Sequence, residues 1–234
     1  MATIKNIEDW NKLLNEFNSS DNDLLFEIAS YLDHGFEIDG KVIVLENKLD
    51  AFKIYEKASK NGHIDSTIRL ADFYSEGEIC EKNISLAIEL YNRGIEIGKG
   101  IAAHNLATVY RDLGNYRKAF ELYQIEQNLE QSNSIELAYC HYYGIGTEPD
   151  KKKAFEAFKK IAYDKSVNRN CEYEVEDANY YLGLYYLEGI IVKKCIEKAR
   201  QYFEKANSDN DHRNANEILL IIGRGNEKNK NTSH

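Results

Sequence analysis

"YYGIGTEPDKKKAFEAF", residues 142–158, sets Gly144 and Gly146 just ahead of a lysine run. Whether this is a phosphate-cradling loop or a structural turn decides the fold. A phosphate loop follows a strand and opens a helix, so that backbone N–H groups converge on the anion. The preceding "NSIELAYCHYYG" (133–144) instead places Ile135, Ala138 and Tyr142 at helical spacing, with Leu137 and Cys140 widening the apolar face. No Gly-Lys-Ser/Thr follows, and no third glycine falls at the required place. The stretch therefore reads as helix, turn, helix, with glycines supplying positive φ. Lys151, Lys152 and Lys153 oppose the dipole of the second helix mildly and read as a solvated face.

The glycine and an alanine ten residues later act as a ruler for the rest of the chain. Gly77 pairs with Ala87, Gly144 with Ala154 and Gly189 with Ala199, each followed four residues on by an aromatic: Tyr91, Phe158 and Phe203. Two more copies keep the helices but change the loop, Gly35 to Ala51 with Tyr55 and Gly114 to Ala119 with Tyr123. Upstream in each copy stands a large aliphatic followed by a small residue: Ile28-Ala29, Leu70-Ala71, Leu106-Ala107, Leu137-Ala138 and Leu182-Gly183. Neither helix of a pair can bury its stripe alone, so the pairs must stack on their neighbours. One proline, Pro149, in 234 residues favours long helical runs. The expectation is an all-α, right-handed α-solenoid of five helix pairs.

On these residues the chain resembles the Sel1-like repeats, relatives of the tetratricopeptide repeat with a longer inter-helix loop. The segments "LADFYSEGEICEKNISLAIELYNRG" (70–94), "LAYCHYYGIGTEPDKKKAFEAFKKI" (137–161) and "LGLYYLEGIIVKKCIEKARQYFEKA" (182–206) carry that pattern, and "AAHNLATVYRDLGNYRKAFELYQIE" (102–126) is similar to an ordinary tetratricopeptide unit. The resemblance covers residues 23–211; it departs at Leu32 and His141, where tyrosine is usual. It makes the Gly-x-Gly an inter-helix loop with no ligand to cradle.

Outside the repeat, Ile4, Ile7, Trp10, Leu13, Leu14 and Phe17 form a helical stripe, so residues 1–22 read as an N-terminal capping helix with Trp10 in the core. Residues 212–224 read as a C-terminal capping helix and 225–234 as a mobile tail. Two insertions interrupt the pattern, and insertions in repeats tend to project as loops. In residues 36–46, Asp39-Gly40 between β-branched and aromatic residues predicts a small β-hairpin; residues 164–177 read as a helix extension or irregular loop, structural or functional.

Composition narrows the function. A formal charge of −9 argues against generic nucleic-acid binding, which needs a basic face, and permits a basic partner. No run of about 18 apolar residues or signal peptide is present, so no membrane span and a cytoplasmic location are expected. Cys80, Cys140, Cys171 and Cys195 are widely separated and read as reduced thiols; no metal site or cofactor is expected. None of the six histidines sits in a metal or nucleophile motif, and a carboxylate pair such as Asp33 with Asp72 is weak evidence for acid–base chemistry. The chain reads as no enzyme.

The resemblance implies that the first helices of successive pairs line a concave protein-binding face. Positions outside the core set then point into it: Asp33, Asp72, Glu76, His104 and Arg111 in the first copies, and Tyr139, Tyr142, Tyr143, Tyr180 and Glu188 in the last two. Tyrosine with a few charges is the composition of recognition surfaces. Tyr142 and Tyr143, about 100° apart on a helix, cannot both face the partner helix squarely. The expected function is a non-catalytic protein-binding module. Its favoured role is an immunity or inhibitor protein for a cognate, basic toxin, an acidic groove speeding capture. A general adaptor or scaffold is the main alternative, and an enzyme in a helical scaffold a further one.

Overall fold

The computed structural model describes residues 4–15, 21–163 and 172–231, the last of these as backbone alone beyond residue 223. Among them the helices are α1 (Ile7–Asn15), α2 (Asn22–His34), α3 (Lys48–Lys60), α4 (Ile64–Glu76), α5 (Ile84–Glu96), α6 (Gly100–Asp112), α7 (Tyr116–Glu130), α8 (Ile135–Tyr143), α9 (Lys151–Tyr163), α10 (Glu172–Glu188), α11 (Ile196–Ala206) and α12 (Arg213–Asn231). Strands β1 (Phe36–Ile38) and β2 (Lys41–Val44) lie between α2 and α3. The five pairs are α2/α3, α4/α5, α6/α7, α8/α9 and α10/α11, an all-α solenoid architecture. The chain divides into two compact units, Met1–Val109 and Tyr110–His234.

One backbone device closes every pair. The residue opening the second helix donates its N–H to a carbonyl in the last turn of the first: Asn47 to Leu32, Asn83 to Tyr74, Asn115 to Tyr110, Asp150 to His141 and Cys195 to Tyr186, at 2.7–2.8 Å. Loop length does not disturb it, so the first copy accepts a hairpin and the third a very short turn. Four residues later the alanine of the ruler donates to that same residue's carbonyl (Ala51, Ala87, Ala119, Ala154, Ala199). These alanines are buried, as are the aromatics four residues beyond them. Asn47, Asn83, Asn115 and Asp150 also cap their helices through side-chain oxygens. Cys195 makes no such bond, and a missing cap of this kind is worth about 1 kcal/mol.

Both glycines of the opening stretch have structural reasons. Gly144 ends α8 in the left-handed region, φ 75°, and its N–H bonds to the Cys140 carbonyl. At Gly146, φ 70°, a Cβ would fall 2.1 Å from the carbonyl oxygen of Tyr116, so the loop passes against the start of α7 where no side chain fits. At Gly183, the small position of the last pair, a Cβ would meet the Phe203 ring at 2.6 Å. Alanine serves in the other copies, and only glycine fits here.

The hairpin forms as the sequence requires. Asp39 and Gly40 both take positive φ, 49° and 74°, as a type I′ turn demands, and Ile38 pairs with Lys41. It does not simply project. Ile43 and Val44 are buried with Trp10, Leu13, Ile4 and Ile28, while Phe36 packs against Tyr31, so hairpin and α1 together cover the end of the first pair. At the other terminus, Ala215 of α12 is buried with Ala199, Phe203 and Ala206. α12 begins where the cap was expected and continues as helix to Asn231, past residue 224 and through most of the segment read as a tail. Of the second insertion, 164–171 lie outside the described residues, and 172–177 are the first turns of α10.

Candidate functional site

In the first unit, the structure corrects the expected placement of Asp33 and Asp72 on an open face: both are buried, 3% and 7% exposed. Arg69 of α4 bridges them, Nη2 to Asp33 Oδ2 at 2.5 Å and Nη1 to Asp72 Oδ2 at 2.6 Å. The hydroxyl of Tyr55 donates to Asp33 at 3.4 Å, and that of Tyr91 to Asp72 at 2.5 Å. Asn105 of α6 adds a bond to Asp72 at 2.9 Å. Burial raises the Asp72 carboxyl above its ordinary value, against the lowering effect of its donors. Burial works to lower Arg69, but its hydrogen bond to Asp33 and the charges of both aspartates hold it above its usual range. The guanidinium is thus firmly charged, and the strain of desolvation falls on Asp72. A sequence signal existed: the core aromatic is tyrosine in the copies that carry these aspartates, and phenylalanine, Phe158 and Phe203, in the last two. Of the remaining expected residues here, Glu76 is exposed and His104 half-buried.

In the second unit, Tyr139, Tyr142, Tyr143 and Tyr180 are brought together by a residue the sequence reading passed over, Tyr181 of α10. Its ring stacks on Phe158 at 4.6 Å and lies 5.0–6.2 Å from those of Tyr139, Tyr142, Tyr143 and Tyr180. Its hydroxyl is 2.8 Å from that of Tyr143. The doublet Tyr180-Tyr181 was the available clue. The adjacent pair on α8 divides as helix geometry demands: Tyr142 is 9% exposed and belongs to the core, whereas Tyr143 is 56% exposed. The Lys151 ammonium sits 3.2 Å from the Tyr142 ring centroid and covers that face as well. Tyr142 is therefore corrected from an open contact to a buried one.

Carboxylates flank the aromatic surface. Asp177 accepts the Tyr139 hydroxyl at 2.5 Å and lies 3.3 Å from His212, whose ring stacks on Tyr180. Burial and the Asp177 bond hold the Tyr139 phenol far above its ordinary range, so it remains a donor. Glu188 is exposed at the end of α10. Glu176, Asp209 and Asp211 bring carboxylate oxygens within 4.8 Å of one another, adding negative charge near the start of the same helix. Arg111 is exposed and pairs with Asp112 at 3.3 Å, apart from this group. No helix among the described residues is long and apolar enough to cross a membrane.

Stacked helix pairs, each closed by one backbone bond, define a helical-repeat protein-binding module. The Sel1 repeat family matches residues 25–63, 64–99, 101–125, 135–163 and 176–211, and the chain belongs to that family. It is similar to the chitin synthase regulator SKT5 of Saccharomyces cerevisiae, 24% identical over 216 residues, which make up 89% of this chain and 25% of the yeast protein; the chain thus spans about a quarter of that relative. Among solved structures it resembles c5321, a protective antigen of uropathogenic Escherichia coli strains displaying an SLR fold (TM-score 0.69, 22% identity, 94% of this chain and 44% of that one). It also resembles a Sel1 repeat protein from Oxalobacter formigenes (TM-score 0.66, 16% identity, 91% and 80%). At these identities the likeness establishes the fold.

Proposed function

We propose that the chain is a non-catalytic binder that captures a basic segment of another protein on the tyrosine surface of α8 and α10. The observation that carries this reading is the hydroxyl-linked pair of exposed Tyr143 and half-buried Tyr181, backed by stacked rings and flanked by Asp177 and Glu188. Rings held by their neighbours lose little conformational entropy on binding, and their faces and adjacent carboxylates suit lysine and arginine. Lys151 over Tyr142 is an example of that contact inside the chain itself. Asp33 and Asp72 serve by fixing the first two helix pairs through Arg69, while Glu76 and Glu188 supply exposed negative charge that speeds encounter.

The favoured specific role is an immunity or inhibitor protein that neutralises a basic toxin in the cytoplasm. The acidity of the whole chain, −9, supports it. A general adaptor remains the second reading, supported by the repeat architecture alone. Affinity capture from the native cell with mass spectrometry separates them: one tight partner indicates an inhibitor, several weak ones an adaptor. Surface plasmon resonance on that partner then tests the surface. Tyr143→Ala should weaken binding by about 2 kcal/mol with an unchanged melting temperature, and Glu188→Lys should slow association. Unaltered binding in both variants excludes this face.

A further inference from the structure

The second unit holds a cavity of about 480 Å³ between α7, α8 and α9, on residues the tyrosine surface does not use. Its charge runs against that of the chain. Lys153, Glu156, Ala157 and Lys160 stand at helical spacing along one stripe of α9, facing Leu137 and His141 of α8, with Lys152 at the rim and Gln127 and Asn133 closing the far side. Of the two carboxylates in the lining, Asp150 is already engaged: its Oδ1 accepts the N–H groups of Lys152 and Lys153, and its Oδ2 lies 3.7 Å from the Lys153 ammonium. Lys152 and Lys160 have no ion-pair partner among the described residues. Gln127 already accepts the Ser134 N–H through its oxygen, which leaves its amide NH₂ to donate. His141 Nδ1 is buried without a hydrogen-bond partner among the described residues, and burial, with Lys153 beside it, holds the imidazole below its ordinary pKa and so neutral.

The three lysine ammonium groups and the Gln127 amide outweigh the one carboxylate of the lining left unengaged, Glu156, and together are the complement of a multivalent anion. The volume lies in the range of small-molecule sites. We infer that this cavity is a binding site for a small organic anion carrying carboxylate or phosphate groups, independent of the protein-binding face. Lysines at the start of α9, unfavourable for the helix dipole, then have a use.

The test titrates the full-length protein with citrate and, separately, with inorganic pyrophosphate at about 0.15 M salt, following calorimetry and backbone amide shifts. Citrate binding marks a carboxylate ligand, pyrophosphate binding a phosphate one. Saturable shifts at Gln127, Leu137 and His141 are expected for at least one probe. The exposed double substitution Lys152→Glu with Lys160→Glu should weaken it roughly tenfold or more with an unchanged melting curve. Two results overturn the inference: neither probe giving saturable shifts at those three residues, or the double variant binding as tightly as the parent.

Discussion

Replacing Arg69 by methionine keeps the length of the side chain and removes the bridge between successive pairs. It leaves Asp33, whose side chain is 2% exposed, and Asp72, at 10%, without a countercharge. Breaking a buried ion pair costs about 3–5 kcal/mol. Arg69 is itself 34% exposed, and Tyr55, Tyr91 and Asn105 stay bonded to the carboxylates. The expected loss is therefore about 2–4 kcal/mol, or a fall in melting temperature of roughly 4–16 °C for a chain of this size. The sign of the pH dependence follows from the carboxylates. Without the guanidinium, burial raises the Asp72 carboxyl further above its ordinary value. A carboxyl raised in this way contributes stability that is present below the unfolded pKa and lost as pH rises through the folded one. The deficit against the parent should be largest at neutral pH and shrink toward about pH 4. Thermal melts across that range measure it, and adding Asp33→Asn with Asp72→Asn should recover part of the loss. An Arg69→Met protein that melts like the parent at pH 7, or a deficit that does not change with pH, refutes the reasoning.

Gly183→Ala should cost about 1–3 kcal/mol, because the new methyl meets the Phe203 ring at 2.6 Å; chemical denaturation reads it, and a neutral result would mean the ring is free to move. Joining Gly35 to Asn47 without the hairpin should preserve helical circular dichroism but uncover Trp10, Ile4 and Leu13, seen as a red-shifted tryptophan emission and a lower melting temperature. An unchanged emission would show that the hairpin does not cover Trp10. Tyr142→Ala, unlike Tyr143→Ala, removes a core ring and should destabilise the fold by about 3–5 kcal/mol; equal melting temperatures for the two variants would contradict the division of the pair.

The features legible in the sequence were those set by near neighbours along the chain. The alanine and aromatic spacing specified five helix pairs because a helix face repeats with a fixed period, and Asp39-Gly40 specified the hairpin because its turn requires two residues at positive φ. Trp10 was legible as core for the same reason, lying on an apolar stripe of α1. What the tertiary structure decided was which side chains meet between pairs. Arg69 reaches back across 36 residues to Asp33, and Tyr181 reaches across 38 to Tyr143. Both precede the large aliphatic of their helix, Leu70 and Leu182, a position that periodicity marks merely as polar or variable. The stagger of one pair on the next buries the aspartates at that seam and exposes Tyr143 while covering Tyr142. Stagger is fixed by the volumes of side chains that face each other between pairs, such as Tyr181 of α10 against Phe158 of α9, and those volumes act only once distant segments are in contact.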